Sequence, residues 1–531
     1  MLMGALSGCH ETEEEADGRF ALHASLCGPL DSLDPAMNTD ARAESVFGAL
    51  FENLMRLGVD EAGNTTVEPA AAREYKVVEN YDGTVDYVFT LRSAARWSDG
   101  TRLKAQDFVY AWRRLVNPVT NSPHHSLLSM VQGYDVARET GDATRLAVTA
   151  ENDSTLRVTL AAPCLYFLSD VCTATATMPL RSDFATKNPD WATSGGLPGN
   201  GPYQVGAWSK AEYLQLRRNG SYHESRAVLP DTLRFVFAGS AEKAWQRYVT
   251  GDLDFVTDPP AGTEGVVPVP RRSTVCVLYN HMGDVFSNEH VRRAFDLSLD
   301  RPAIATAVGA AATPATGLVP PGVVNTSIEG GDDFRAVGGT LLAVDAEGYS
   351  MRCIEAGNEL RSGGYWGGEG FPSVTCLYVA EDEVHAAVTA AALCWREQLN
   401  VSVVSEGVSR EEFNARVDAG EYDLAIDVID VSCGDAMTCL APFAGVDADN
   451  VLHYASKPYD LLIGVAETAG DPAAESAFLH DAELLLLGDT ALSPLCFGGT
   501  ACLLREGLSG LRFNARGNVY FDAVTSGRAV G

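Results

Sequence analysis

No segment of this 531-residue chain recurs at a period of about 20 to 50 residues, which excludes a solenoid or a propeller. A chain this long without a repeat exceeds what one hydrophobic core accommodates, so its interior is expected to divide into at least two. Hydrophobic residues make up 46% of it, enough to fill such cores. No apolar run reaches the roughly 18 residues that mark a membrane-spanning helix.

Local patterning sets the class. Residues 87–92 (YVFTLR) and 156–160 (LRVTL) alternate apolar and polar side chains, as half-buried strands do. Between them, residues 107–116 place Phe108, Val109, Trp112, Leu115 and Val116 on one helical face. After the breaker cluster Gly199-Asn200-Gly201-Pro202-Tyr203, strand patterns resume at 214–218 and 232–237. Residues 289–299 and 384–399 predict helices, the second followed by a strand over 401–404. This alternation is that of an α/β protein. The Gly- and Pro-rich interval 317–339 reads as a long surface excursion, either a ligand-facing loop or a connector.

A net charge of -32 argues against nucleic acid as a partner, because phosphate binders present clustered Lys and Arg. The acidity serves solubility or attracts cationic ligands, and composition does not separate the two. Leu6-Ser7-Gly8-Cys9 resembles the lipobox of bacterial lipoproteins, in which cleavage leaves a lipidated Cys9 at the N-terminus. Too few residues precede Cys9 for a whole signal peptide, so the expected start lies upstream or was trimmed. The polar, acidic stretch 10–18 (HETEEEADG) suits a tether.

Of the 12 cysteines, Cys433 and Cys439, Cys496 and Cys502, and Cys164 and Cys172 are near enough in sequence to pair. None has zinc-ligand spacing, and Cys394 reads as a small buried hydrophobe. His124-His125 is a surface pair or faces a cleft, and no metal or other cofactor is expected. P-loop, HExxH, GxSxG and strand-placed GxGxxG motifs do not occur, so no enzyme is expected.

Several landmarks in order resemble the family 5 solute-binding proteins of ABC importers, the oligopeptide- and dipeptide-binding type. Leu30-Asp31-Ser32-Leu33-Asp34-Pro35 is similar to that family's opening strand and turn, and Leu50-Phe51-Glu52-Asn53-Leu54 to the helix after it. Residues 94–101 (AARWSDGT) and 105–112 (AQDFVYAW) resemble its signature block. Gly199 to Tyr203, residues 248–254 (YVTGDLD), Tyr279-Asn280, residues 291–301 (VRRAFDLSLDR) and residues 317–322 (GLVPPG) continue the series. The resemblance implies a periplasmic-binding-protein-like fold of the cluster C type, two hinged α/β lobes with an inserted subdomain in lobe I. Mapped by motif, lobe I takes 19–58, 196–270 and 491–531, the insertion 59–195, and lobe II 271–490. It also implies a monomeric, lipid-anchored extracytoplasmic receptor that captures short peptides and hands them to a permease and ATPase. Relatives that bind nickel, haem, oligosaccharides or signalling peptides share the architecture, so the ligand stays open.

In peptide-binding relatives an Asp in a W-x-x-D segment meets the ligand's amino group. Here Ile429 stands for that Trp and Ser432 for that Asp, while Ile426 replaces an Arg that meets ligand carboxylates in some relatives. Asp430 and Asp435 are near enough to substitute, or are solvent-facing loop acids beside Asp427. By position, Asp40, Glu44, Tyr279, Asn280 and His281 are further cleft candidates.

Overall fold

A computed structural model describes residues 20–25, 28–40, 43–59, 65–164, 166–260, 262–325, 333–380, 384–431, 435–445, 450–469, 471–514 and 516–526. Cys9, the acidic stretch, Ser432 and Cys433 lie outside them.

Two strands, Val267–Tyr279 and Leu492–Leu504, are each 13 residues long, about twice the usual strand length, and run antiparallel through the whole molecule. Their outer halves pair at Val267–Pro270 with Gly499–Cys502 and add Phe255–Thr257. From there the sheet continues through Ala21–Ser25, Thr232–Val236, Tyr213–Arg218 and Tyr203–Ser209. Their inner halves pair at Thr274–Leu278 and carry Leu424–Asp430, Val374–Val379 and Val403–Val408 on the other side. Between the halves the register shifts, from Pro270 to Thr274. Gly498 and Gly499 sit at this shift, where a Cβ would stand 2.2 Å from Ser273 Oγ and 2.4 Å from the Ala311 carbonyl oxygen. Close approach of the partner strand at Gly498 and of the Ala311 backbone at Gly499, rather than turn geometry, demands glycine here. Both strands cross from one lobe to the other here.

Lobe I and the insertion share one core, in which Leu22, Phe47 and Phe235 join Phe89, Trp112 and Phe167. The insertion is a four-stranded antiparallel sheet, with Val85–Leu91 paired to Thr155–Leu160 so that Phe89 faces Leu156. Helix Ala105–Val116 buries Phe108, Val109, Trp112, Leu115 and Val116, the stripe its sequence predicts. Its start is fastened by Asp107 Oδ2, which accepts from the Lys104 N–H at 2.9 Å and from Trp97 Nε1 at 3.0 Å.

Of the residues expected as a helix at 50–54, Leu50 ends helix Glu44–Leu50 and 51–54 lie just past it. Extended backbone there lets both side chains reach inward. Glu52 accepts from the Tyr222 hydroxyl and pairs with His223 Nε2, each at 2.7 Å, and Asn53 Nδ2 donates to the Ala174 carbonyl at 2.7 Å.

Lobe II is built from crossovers. Strands Val374–Val379, Val403–Val408 and Leu424–Asp430 are linked by helices His385–Leu399 and Arg410–Asp418, with Val374–Val379 parallel to both others. The middle strand begins two residues later than its sequence suggests, because Asn400 ends the preceding helix at φ 56°. One face buries Phe295 and Trp395, the other Tyr459 and Leu486. Leu492, Leu495 and Cys496 pack into these same cores.

The interval 317–339 is not a surface excursion where it is described. Leu318, Val319, Val323 and Phe334 are fully buried. Glu483, itself fully buried, accepts from the N–H groups of Leu318 and Val319 at 2.7 and 2.8 Å and from Arg335 at 2.6 Å. A carboxylate paired with one guanidinium fastens the loop from inside.

Candidate ligand-binding cleft

The hinge strand carries Arg271 and Arg272 where it leaves lobe I. Arg272 is nearly buried, and its carbonyl accepts from the Val431 N–H at 2.8 Å, tying it to the end of strand Leu424–Asp430. Its guanidinium reaches Asp170 of the insertion at 3.2 Å. Arg516, from the C-terminal segment of lobe I, meets the same Asp170 oxygen at 2.8 Å, and Ser169 Oγ donates to the other at 2.7 Å. Burial pushes the Asp170 carboxyl up, and the two guanidiniums outweigh that, holding it below the usual carboxylate range. Three chain segments meet at one anion.

Across from Asp170, lobe II presents Asp435 as the N-cap of helix Ala436–Leu440, accepting from the Met437 N–H at 2.9 Å. The residue keeps partial contact with solvent, but its carboxyl is withdrawn from water. That desolvation, with the Asp170 charge facing it, raises the carboxyl to about 6. Glu475, on helix Pro472–Gly488, is pushed up to about 7 by burial and by Asp435. Asp430 is exposed at the strand end, 3.9 Å from Arg271. Asp435 and Asp430 therefore both flank the crossing, and Asp435 is the one held out of water.

On lobe I, Asp40 is half-buried, its carbonyl accepting from the Ala43 N–H at 3.0 Å at the entry to helix Glu44–Leu50. Glu44 accepts from Asn518 Nδ2 at 2.9 Å. It lines a cavity of about 450 Å³ within lobe I, shared by Arg56, Thr173, Arg512 and Asn514. His124 Nε2 contacts the Asn38 carbonyl at 2.5 Å, bracing the same entry, while His125 meets the Tyr134 hydroxyl at 2.6 Å. The two histidines are occupied separately, and no group of three metal-ligating side chains occurs among the described residues.

Tyr279, Asn280 and His281 lie away from the crossing, and Asn280 lines a separate cavity of about 440 Å³ with Thr375, Arg416 and Asp423. Strand register places Tyr279 opposite Leu424, at the far end of lobe II from Asp430, which pairs with Ser273. Tyr279 is fully buried with its hydroxyl 2.9 Å from Ser493 Oγ, and Asn280 Nδ2 donates to the carbonyls of Gly420 and Tyr422 at 2.9 and 2.8 Å. His281 Nε2 bonds the Ala491 carbonyl at 2.9 Å, and burial lowers its pKa to about 4.

The candidate cysteine pairs Cys164–Cys172 and Cys496–Cys502 do not form, and Cys433 of the third lies outside the described residues. Cys496 and Cys502 lie in one extended strand, six residues and roughly 20 Å apart, well past disulfide reach. Cys172, Cys439 and Cys502 are buried free thiols. Sequence reasoning missed Asp170, Arg272, Arg516 and Glu475; only Asp170 carried a signal, as the lone acid in the apolar run 165–172 (LYFLSDVC).

Two lobes joined by crossing strands, with charged groups from both converging at the crossing, are the layout of a two-lobed binding protein. The chain belongs to the bacterial extracellular solute-binding proteins, family 5, whose middle-region model matches residues 66–450. The dipeptide-binding protein DppE of Bacillus subtilis is 26% identical over 526 residues, covering 96% of this chain and 94% of the relative. The probable deoxycholate-binding periplasmic protein YgiS of Escherichia coli is 27% identical over 494 residues, covering 90% and 88%. The solved OppA of Haemophilus influenzae, in complex with RPPGFSPFR, superposes with a TM-score of 0.75 at 24% identity, covering 96% of this chain and all of that one. These relatives are binding proteins rather than enzymes, and so is this chain. Among its described residues no helix is long and apolar enough to cross a membrane.

Proposed function

We propose that this protein captures short peptides between its lobes and delivers them to the permease and ATPase of an ABC importer, working as a monomer anchored through lipidated Cys9. The observation that carries the reading is Asp435, a carboxyl withdrawn from water at the lobe II edge of the cleft. A free amino terminus would supply the charge that makes its ionisation favourable on closure. Asp435 then takes the place of the acid that Ser432 vacates, and Asp430, Asp40 and Glu44 lie along the ligand's path. The names of DppE and of the peptide-bound OppA support the same ligand class. In this reading lobe I comprises 19–58, 196–270 and 491–531, with the insertion at 59–195, and lobe II comprises 271–490.

Native mass spectrometry of the purified protein, followed by denaturation and identification of what co-purifies, tests it. A ligand at about 100 times its Kd adds about 2.7 kcal/mol of stability, so thermal shifts with defined peptides follow directly. Recovered peptides with free amino ends support the reading, and Asp435→Asn, which retains the helix cap, should weaken them by about 2 kcal/mol or more. A sterol-like acid, sugar or metal chelate recovered with no response to any peptide pool overturns the peptide assignment. Cys9→Ser should release the protein from the membrane fraction.

A further inference from the structure

We propose that the cavity of about 450 Å³ in lobe I is a binding site for an alkylammonium or guanidinium group, with Glu44 as the residue that selects it. Six charged side chains line this cavity, and five of them are paired. Arg56 meets Glu68 at 3.2 Å and Glu224 at 3.0 Å, Arg512 meets Asp522 at 2.7 Å, and Glu52 meets His223 at 2.7 Å. Glu44 has only the neutral Asn518 amide, which donates to its Oε2 at 2.9 Å, and no cation reaches it among the described residues. A carboxylate offers about four lone-pair sites on its two oxygens, so most of its accepting capacity is open. It is half-buried, and a charge partly withdrawn from water without a partner is costly, a cost that a bound cation relieves. Phe51, Phe513 and Tyr520 share the wall, and aromatic faces attract the same kind of group.

The cavity adjoins the crossing. Asn514 Oδ1 accepts from the N–H groups of Arg516 and Asn518 at 3.0 and 2.9 Å, so the turn that sends Arg516 to Asp170 also holds Asn518 against Glu44. Thr173, three residues past Asp170, stands on the cavity wall and donates to the Ser169 carbonyl. Two sources of the cationic group fit this position. One is a Lys or Arg side chain of the captured peptide, which rests on the peptide reading above; the other is a free small organic cation, which does not. A neutral chain of the same length gains the aromatic wall but leaves Glu44 unpaired, so the site discriminates by charge.

Isothermal titration of the full chain tests this, with tripeptides carrying lysine or norleucine at each position in turn and with n-butylguanidine against n-butanol. The lysine peptide, n-butylguanidine or both should bind about tenfold or more tighter than the neutral counterpart. Glu44→Gln, which keeps an acceptor for Asn518, should bring that ratio to about one. Gly48→Met should do the same by filling the cavity with the charge intact, because a Cβ at Gly48 meets nothing closer than Tyr520 Cε1 at 3.8 Å. A preference confined to peptides assigns the site to a ligand side chain, and one shown by n-butylguanidine assigns it to a free cation. Peptides that bind with no difference between lysine and norleucine, together with an inert n-butylguanidine, overturn this inference and leave the peptide reading standing. Binding of n-butylguanidine through Glu44 with no response to any peptide overturns the peptide reading alone. A charge preference that survives in Gly48→Met also overturns the inference, and thermal midpoints of the ligand-free variants confirm that both fold.

Discussion

Asp170 and Arg272 meet at 3.2 Å although they are 102 residues apart, one from the inserted subdomain of lobe I and the other from the strand that opens lobe II. With Arg516 on the same oxygen, the contact ties the insertion, the hinge and the C-terminal segment at one buried point.

Asp170→Asn should destabilise the protein by about 3 to 5 kcal/mol, because it leaves two guanidiniums facing each other without their anion. Urea unfolding at neutral pH measures it. The same carboxyl fixes a pH sign: its folded pKa lies below the unfolded value, so its stabilisation is full above about pH 4 and disappears as pH falls through the folded value. The Asn variant should lose that acid-limb slope.

Asp435 and Glu475 act in the opposite direction. Their folded values, about 6 and about 7, lie above those of the unfolded chain, so the folded state binds more protons between roughly pH 4 and 7. Acidifying the ligand-free protein from pH 7 to pH 5 should stabilise it relative to Asp435→Asn/Glu475→Gln, measured by thermal unfolding. Peptide affinity should fall over the same interval, as the ammonium partner becomes protonated.

Glu483→Ala should cost about 3 to 5 kcal/mol by leaving Arg335 as an uncompensated buried charge. The double variant Glu483→Leu/Arg335→Met should recover only part of this. Leu318 and Val319 N–H groups lose their acceptor in both proteins.

Gly499→Ala should destabilise by about 1 to 3 kcal/mol, since its Cβ meets backbone rather than a side chain that can yield. Small-angle scattering with and without a bound peptide should show a reduced difference between the open and closed forms. An unchanged difference would mean that the strands bend elsewhere.

Much of the fold was legible because its signals are local. The stripe Phe108, Trp112, Leu115 needs only helical spacing to declare itself, and Phe89 and Leu156 need only alternation. The site was less legible. Tyr279 and Asn280 occupy a family landmark, yet strand register carries them to the end of lobe II away from the crossing. The loop at 317 has the Gly and Pro content of a surface segment, and a single buried carboxylate 165 residues away draws it inside.

The sequence by itself determined that this chain is a two-lobed α/β binding protein, because periodicity, breakers and landmark order are carried by neighbouring residues. Only the tertiary structure decided which charges meet at the crossing. Asp170, Arg272, Arg516 and Asp435 come from four separate segments, and their protonation depends on burial and on one another's charge, which exist only once the chain has folded.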